Sequence, residues 1–167
     1  MQLLKVTVFV CMLIFGIVCL FVVWDIKKRR EAPIFCLMMT GKDNTRAKYA
    51  KSAIINFHKQ TYSNKFLIIV NEGSQNIIDT KNDRMLELKV QGLSLGKMRN
   101  IALDLVPPNA IWTTWDDDDW RSDDYLRTLY DELMRHPTKK YLMFCNRVDH
   151  NMNTNFSYRV QLMSGTY

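Results

Sequence analysis

AIWTTWDDDDW, residues 110–120, joins a short apolar run to four consecutive aspartates walled by tryptophans. The apolar half has the length of a buried strand, and the aspartates fall where that strand ends. Two like charges about 4 Å apart repel by roughly 1 kcal/mol in bulk water and about 4 kcal/mol near a protein surface. Such a tip needs a compensating cation or full solvation. In an extended segment, i, i+2 spacing points Asp116 and Asp118 the same way and Asp117 oppositely, with Asp119 starting the next turn. Hard Mg²⁺ or Mn²⁺ takes oxygen ligands and often binds through one or two carboxylates plus substrate phosphates. A solvated acidic loop at a helix N-terminus is the other reading, and spacing alone leaves both open.

Outward from this stretch, strands and helices alternate. IFCLMM (34–39) is a strand-length apolar run ended by Thr40-Gly41, and 47–59 spaces Ala50, Ile54 and Phe57 at helical intervals. FLIIV (66–70) reads as a buried strand closed by the turn signal Asn71-Glu72-Gly73-Ser74. Residues 85–90 alternate as a half-exposed strand, and 95–106 read as a helix stopped by Pro107-Pro108. Beyond the aspartates, Ser122 is the expected N-cap of a helix, with Asp123 and Asp124 in its first turn. Tyr125, Leu126, Leu129 and Leu133 form its buried side. Strands over 141–145 and 158–163 complete the pattern. The alternation predicts an α/β fold, a mostly parallel sheet flanked by helices. In such sheets ligands bind beyond the carboxyl ends of the strands, where 71–74 and 116–119 both lie.

Composition fits a globular domain: 47% of the 167 residues are hydrophobic and 24% charged. The net charge of +6 does not require nucleic acid, because Lys27-Lys28-Arg29-Arg30 supplies four of the cations beside an uncharged run, residues 6–24. A helix of that length reaches about 28 Å, close to the roughly 30 Å hydrocarbon core. A cleaved signal peptide has a shorter apolar region and a small-x-small site, so an uncleaved anchor in the lipid bilayer is expected. Trp24 then sits at the interface and the basic run on anionic lipid. The expected layout is a 1–5 tail, a 6–24 transmembrane helix, a 25–32 basic linker and a 33–167 domain. The positive-inside rule places that domain in the cytosol, while the sequon Asn155-Phe156-Ser157 has meaning only on the lumenal side. Cys11 and Cys19 lie in the membrane segment, and Cys36 and Cys145 read as buried free thiols in strands.

The order of motifs resembles the family 2 nucleotide-sugar glycosyltransferases of the GT-A fold. IFCLMMTGKDNTRAKYAKSAIINFHKQTYSNKFLIIVNEGS (34–74) is similar to the family's strand, P-T-Y-N-like turn and S-I-x-x-Q-T-Y helix. Within it, HKQTYSNKFLIIVNEGS (58–74) resembles Q-T-Y-x-N-x-E-I-I-V-V-D-D-G-S. GLSLGKMRNIALDLVPPNAIWTTWDDDDW (92–120) is similar to G-x-x-x-A-R-N-x-G-I-x-x-A-x-G-x-Y-I-x-F-L-D-x-D-D. Three motifs in order, across about residues 33–145, are far more specific than any one.

The resemblance implies a metal-dependent transfer of sugar from a nucleotide-sugar, UDP-linked donor. Asp116 and Asp118 occupy the D-x-D positions that hold Mn²⁺ or Mg²⁺, with Asp116 also on the donor ribose. Thr40 falls in the turn that contacts the base. Asn71 and Glu72 replace the usual aspartate pair, and an amide offers a donor as well as an acceptor. Arg99 falls where the family's arginine approaches the base or diphosphate; without the resemblance it reads equally as a surface helix residue. The acceptor half departs from the pattern, with 48 residues after Asp119. Asp149, after the expected strand 141–145, is the candidate catalytic base, and a solvated turn residue is its plainer reading. A non-catalytic, membrane-anchored nucleotide-sugar-binding protein is the alternative to an enzyme. A nucleotidyltransferase lacks its Gly- and basic-rich loop here. An EF-hand needs glycine where Arg121 stands.

Overall fold

The computed structural model describes residues 31–78, 82–141, 146–151 and 156–161, together with 12, 16 and 17. The expected membrane helix 6–24 lies outside these residues except for Met12, Gly16 and Ile17, which are helical. Among the described residues no helix is long and apolar enough to cross a membrane. Cys11, Cys19, Cys145 and Asn155 also fall outside them. Two compact units are present, Met1–Asp123 and Asp124–Tyr167.

The first unit contains β1 (Ile34–Thr40), α1 (Asn44–Lys59), β2 (Lys65–Asn71), β3 (Met85–Lys89), α2 (Leu95–Asp104) and β4 (Ile111–Thr114). The sheet order is β3-β2-β1-β4. Every pairing is parallel, with Ile34 opposite both Lys65 and Ile111 and Leu67 opposite Met85. β1 and β2 are central, which explains their near-continuous apolar runs: strands covered on both faces have no polar side to show. On one face Leu37, Met39, Ile68 and Val70 pack with Met98 and Ala102 of α2. Alternation sends Ile34, Cys36, Met38, Leu67 and Ile69 to the other face. There α1 buries Ala50, Ala53 and Phe57. Each fully buried large aliphatic side chain contributes about 1.5–3 kcal/mol, so this two-sided core dominates the unit's stability.

The helix ends follow local chemistry. α1 begins three residues before its periodicity does, because the Asp43 side chain accepts from Thr45 N at 2.9 Å and caps it. α2 is capped by Ser94 and ends at Asp104, ahead of the Pro107-Pro108 stop.

The second unit holds α3 (Tyr125–Arg135) and an antiparallel hairpin of β5 (Asn146–Asn151) and β6 (Phe156–Gln161). α3 buries Leu126 and Leu129, while Tyr125 and Leu133 are half-buried. Its N-cap is Asp124 rather than the expected Ser122, and no side chain caps it. The start is late because the preceding backbone is engaged elsewhere: Gln60 Nε2 donates to Ser122 O at 2.7 Å and Thr61 N to Asp123 O at 2.7 Å. Tyr141 is exposed and outside any strand, and 142–145 lie outside the described residues. Asp149 is a β5 residue opposite Tyr158, not the turn residue expected.

Candidate functional site

The carboxyl ends of β1, β2 and β4 carry Thr40, Asn71, Glu72, Asp116 and Asp118 of the residues singled out in the sequence. Glu72 N donates to Thr40 O at 3.0 Å and Trp115 N to Leu37 O at 2.8 Å, so the three exits are tied side by side. Trp115 anchors the β4 exit. Its indole is buried, donates from Nε1 to Ala53 O at 3.1 Å, and meets the Phe57 ring edge-on at 5.9 Å.

Extended backbone stops at Thr114, and the aspartates form a turn closed by Asp119 N donating to Asp116 O at 3.3 Å. The i, i+2 expectation for Asp116 and Asp118 therefore does not hold, since it requires extended backbone. Asp117 is the buried member, and the adjacent pair Asp117 and Asp118 share one partner. Arg46 Nη1 lies 3.2 Å from Asp117 Oδ1 and 2.7 Å from Asp118 Oδ2. Arg121 Nη2 lies 3.3 Å from Asp119 Oδ2 and 3.2 Å from Thr114 O, with its guanidinium over the Trp115 ring. Two guanidiniums thus compensate three of the four carboxylates. The Asp116 carboxylate has no hydrogen bond or ion pair among the described residues and is half-buried.

Burial pushes the Asp117 carboxyl up, with Asp118 and Asp116 adding to it; Thr40 and Arg46 act in the opposite sense. The Thr40 hydroxyl lies close enough to favour the charged form of that carboxylate, but makes no full hydrogen bond with it, and neither Thr40 Oγ1 nor Asp117 Oδ2 has another partner among the described residues. Buried oxygens normally find one, so this spot is short of a ligand.

Asn71 is buried and its amide is committed within the protein. Nδ2 donates to Glu87 Oε1 at 2.6 Å and to Gln75 O at 2.9 Å, and Oδ1 accepts from Gly73 N at 2.7 Å. Burial raises the Glu87 pKa, but donors from Ile78 N, Asn71 and Ile77 N outweigh it and hold the group below its ordinary value. Glu72 pairs with Lys42 at 3.2 Å and accepts from Gly92 N at 2.8 Å. The crevice between Thr40, Gly41, Asn71, Gly73 and Gln75 is about 10 Å³, the room of one water. Arg99 is exposed on α2, and Asp149 belongs to the second unit.

Sequence reasoning did not single out Arg46 or Glu87, nor the buried placement of Asp117, beside these residues. Arg46 is 72 positions from Asp118, and no spacing rule links them. Glu87 was legible only as the polar member of an alternating strand.

The donor set suits a hard cation, being all oxygen, with Asp116 free and Asp117 Oδ2 unsatisfied. Among the described residues no three His, Cys, Asp or Glu side chains cluster to hold a metal. A cation here therefore needs ligands from outside the protein, such as phosphate oxygens or water.

The parallel α/β sheet with flanking helices fits the GT-A-like fold that the sequence motifs imply. In sequence the chain is 27% identical over 95 residues to the glycosyltransferase GlyA of Streptococcus pneumoniae serotype 4 (strain ATCC BAA-334 / TIGR4). That alignment takes in 53% of this chain and 14% of GlyA, so the chain spans only a small part of that relative. Among solved structures, S. aureus TarS matches 70% of this chain and 20% of its own, at 13% identity and a TM-score of 0.48. No protein-family profile matches the chain. The alignment with a glycosyltransferase supports the resemblance carried by the motifs.

Proposed function

We propose that this chain is a membrane-anchored, metal-dependent glycosyltransferase using a nucleotide-sugar, UDP-linked donor. The observation that carries the reading is the Asp116 carboxylate. It is left without a partner at the carboxyl end of β4, in a turn whose other three acids are paired. The similarity to GlyA supports the class of reaction.

Asp116 and Asp118 would hold Mn²⁺ or Mg²⁺, which when bound would supply Lewis-acid stabilisation of a departing diphosphate. The chain's own residues bind and orient. Thr40 and the Gly41 backbone line the side where the base enters. Asn71 shapes that side from beneath, its amide being already engaged. Glu72 holds Lys42 and the Gly92 backbone at the rim. Arg99, exposed on α2, is free to reach the diphosphate. Residues 6–24 anchor the chain in the bilayer, residues 25–32 contact anionic lipid, and the domain faces the cytosol.

The test is calorimetric titration of UDP into the full chain with and without Mn²⁺, repeated with Asp116→Asn, followed by assay of nucleotide release from a panel of nucleotide-sugars. Expected are Mn²⁺-dependent binding, weakened at least about tenfold by the substitution (about 1.4 kcal/mol), and nucleotide release from one donor. Equal, metal-independent binding by both proteins rejects the metal role. Tight Mn²⁺-dependent binding with no release from any donor assigns the chain instead to non-catalytic nucleotide-sugar binding. Protease protection in sealed vesicles tests the cytosolic orientation.

A further inference from the structure

One of the two carboxylates that would hold a divalent cation, Asp118, already shares a monovalent one with its buried neighbour Asp117. A single guanidinium nitrogen, Arg46 Nη1, contacts Asp117 Oδ1 and Asp118 Oδ2 together. We propose that Arg46 is the resident counter-cation of the acidic turn, occupying the place between Asp117 and Asp118 until a divalent cation displaces it. The role assigned to the metal rests on the function proposed above; the displacement itself concerns only this chain and the cation.

Three observations support it. The first is charge: adjacent aspartates repel one another, most of all where one is shielded from water, and Arg46 is the cation that reaches the buried member, Asp117. The second is incompleteness. Arg46 satisfies only one oxygen of Asp117, while Asp117 Oδ2 and the facing Thr40 Oγ1 stay buried without partners among the described residues. A purely structural ion pair has no reason to leave two buried oxygens short of a ligand. The third is freedom of movement. The Arg46 side chain is 39% exposed, in the first turn of α1, and its long stem can swing outward without unpacking the core. A cation with hard-oxygen preference and more charge gains on each count.

A structural clip and a displaceable counter-cation predict opposite signs on one measurement, the affinity for Mn²⁺ alone. In the full chain without nucleotide, Arg46→Ala should bind Mn²⁺ about five- to tenfold more tightly than the parent, because no guanidinium competes for the carboxylates. It should also melt at a lower temperature without Mn²⁺ and recover more on adding it. Arg46→Lys, which keeps a charge but offers a single point donor, should fall between the two. Mn²⁺ affinity unchanged or weakened in a folded Arg46→Ala, as judged by circular dichroism, overturns the proposal. If Arg46→Ala does not fold, Arg46→Lys decides: tighter Mn²⁺ binding supports the proposal and unchanged binding overturns it. A parent chain that binds no UDP while Arg46→Ala gains Mn²⁺ affinity supports the counter-cation and removes the donor reading alone.

Discussion

Asn71 on β2 and Glu87 on β3 share a hydrogen bond in which the amide Nδ2 donates to Oε1 at 2.6 Å. An ionised carboxylate only accepts, so the NH₂ side of Asn71 must face it, and the amide oxygen is left for Gly73 N. The glycosyltransferase family that this chain resembles usually carries aspartate at this position. Here aspartate would set two carboxylates against each other in a buried place. The Asn71→Asp variant should therefore lose about 2–4 kcal/mol of stability. Adding Glu87→Gln should restore part of that loss, with a coupling of about 0.5–3 kcal/mol. Urea unfolding of the two single variants and the double variant checks this; strictly additive losses would refute the pairing.

The same carboxylate sets an acid limit. Glu87 is held below its ordinary 4.5 despite burial, because backbone donors from Ile78 and Ile77 and the Asn71 amide favour its charged form. A depressed carboxyl contributes stability that is fully present above the unfolded value and lost as pH falls through the folded one. The parent should hold its stability down to about pH 4.5 and lose this contribution below it. Glu87→Gln should be less stable at pH 7 and show a flatter acid limb, measured by denaturant unfolding across pH.

Trp115 joins the core to the acidic turn through its indole bond to Ala53 O and its edge contact with Phe57. Replacing it by alanine should cost about 3–5 kcal/mol, and by phenylalanine about 1–2 kcal/mol. Trp112 and Trp120 are exposed, so Trp115 should carry a blue-shifted part of the native fluorescence. Loss of that component in Trp115→Phe, with the fold retained, is the check.

Periodicity alone revealed β1, β2 and α2 almost to the residue, because strands buried on both faces and a helix packed on one leave strong, local signatures. The parallel direction of the strands followed from the alternation of elements; their order did not. The position of the acidic turn at the end of β4 was legible, but its geometry was not. Whether Asp117 points inward depends on where β4 stops, and that is fixed by Trp115 packing under α1. The charge balance was equally hidden, since Arg46 meets Asp117 and Asp118 only through the fold. Asn71 and Glu87 illustrate the same limit. An amide where the family it resembles usually has an acid looked like a change in base recognition, yet the structure gives it a partner on the next strand.

Gly73 tests how tightly the β1 and β2 exits are held. A Cβ there would stand 3.0 Å from Asn71 Oδ1 and 3.3 Å from Gly41 O. The second contact is backbone and cannot rotate away. Gly73→Ala should cost about 1–3 kcal/mol by overpacking and spread the crevice beside Thr40. Faster amide exchange at Gly73 and Ile77, beyond the global loss, would mark that local opening. Wild-type exchange in the variant would show that the turn has slack.

Arg121 offers the sharpest separation of charge from shape. Its guanidinium reaches Thr114 O and Asp119 Oδ2 from one nitrogen while lying 5.3 Å from the Trp115 ring centroid. Lysine keeps the charge, but a compact ammonium cannot bond the strand end, pair with the acid and lie flat over the ring together. If shape governs, Arg121→Lys should lose nearly as much as Arg121→Met, about 1–2 kcal/mol each. If charge governs, lysine should recover most of the stability and the recovery should fade in high salt. The first outcome is expected. The Asp119 pair is half open to solvent, where ion pairs contribute little, whereas the Thr114 bond and the ring contact are sheltered.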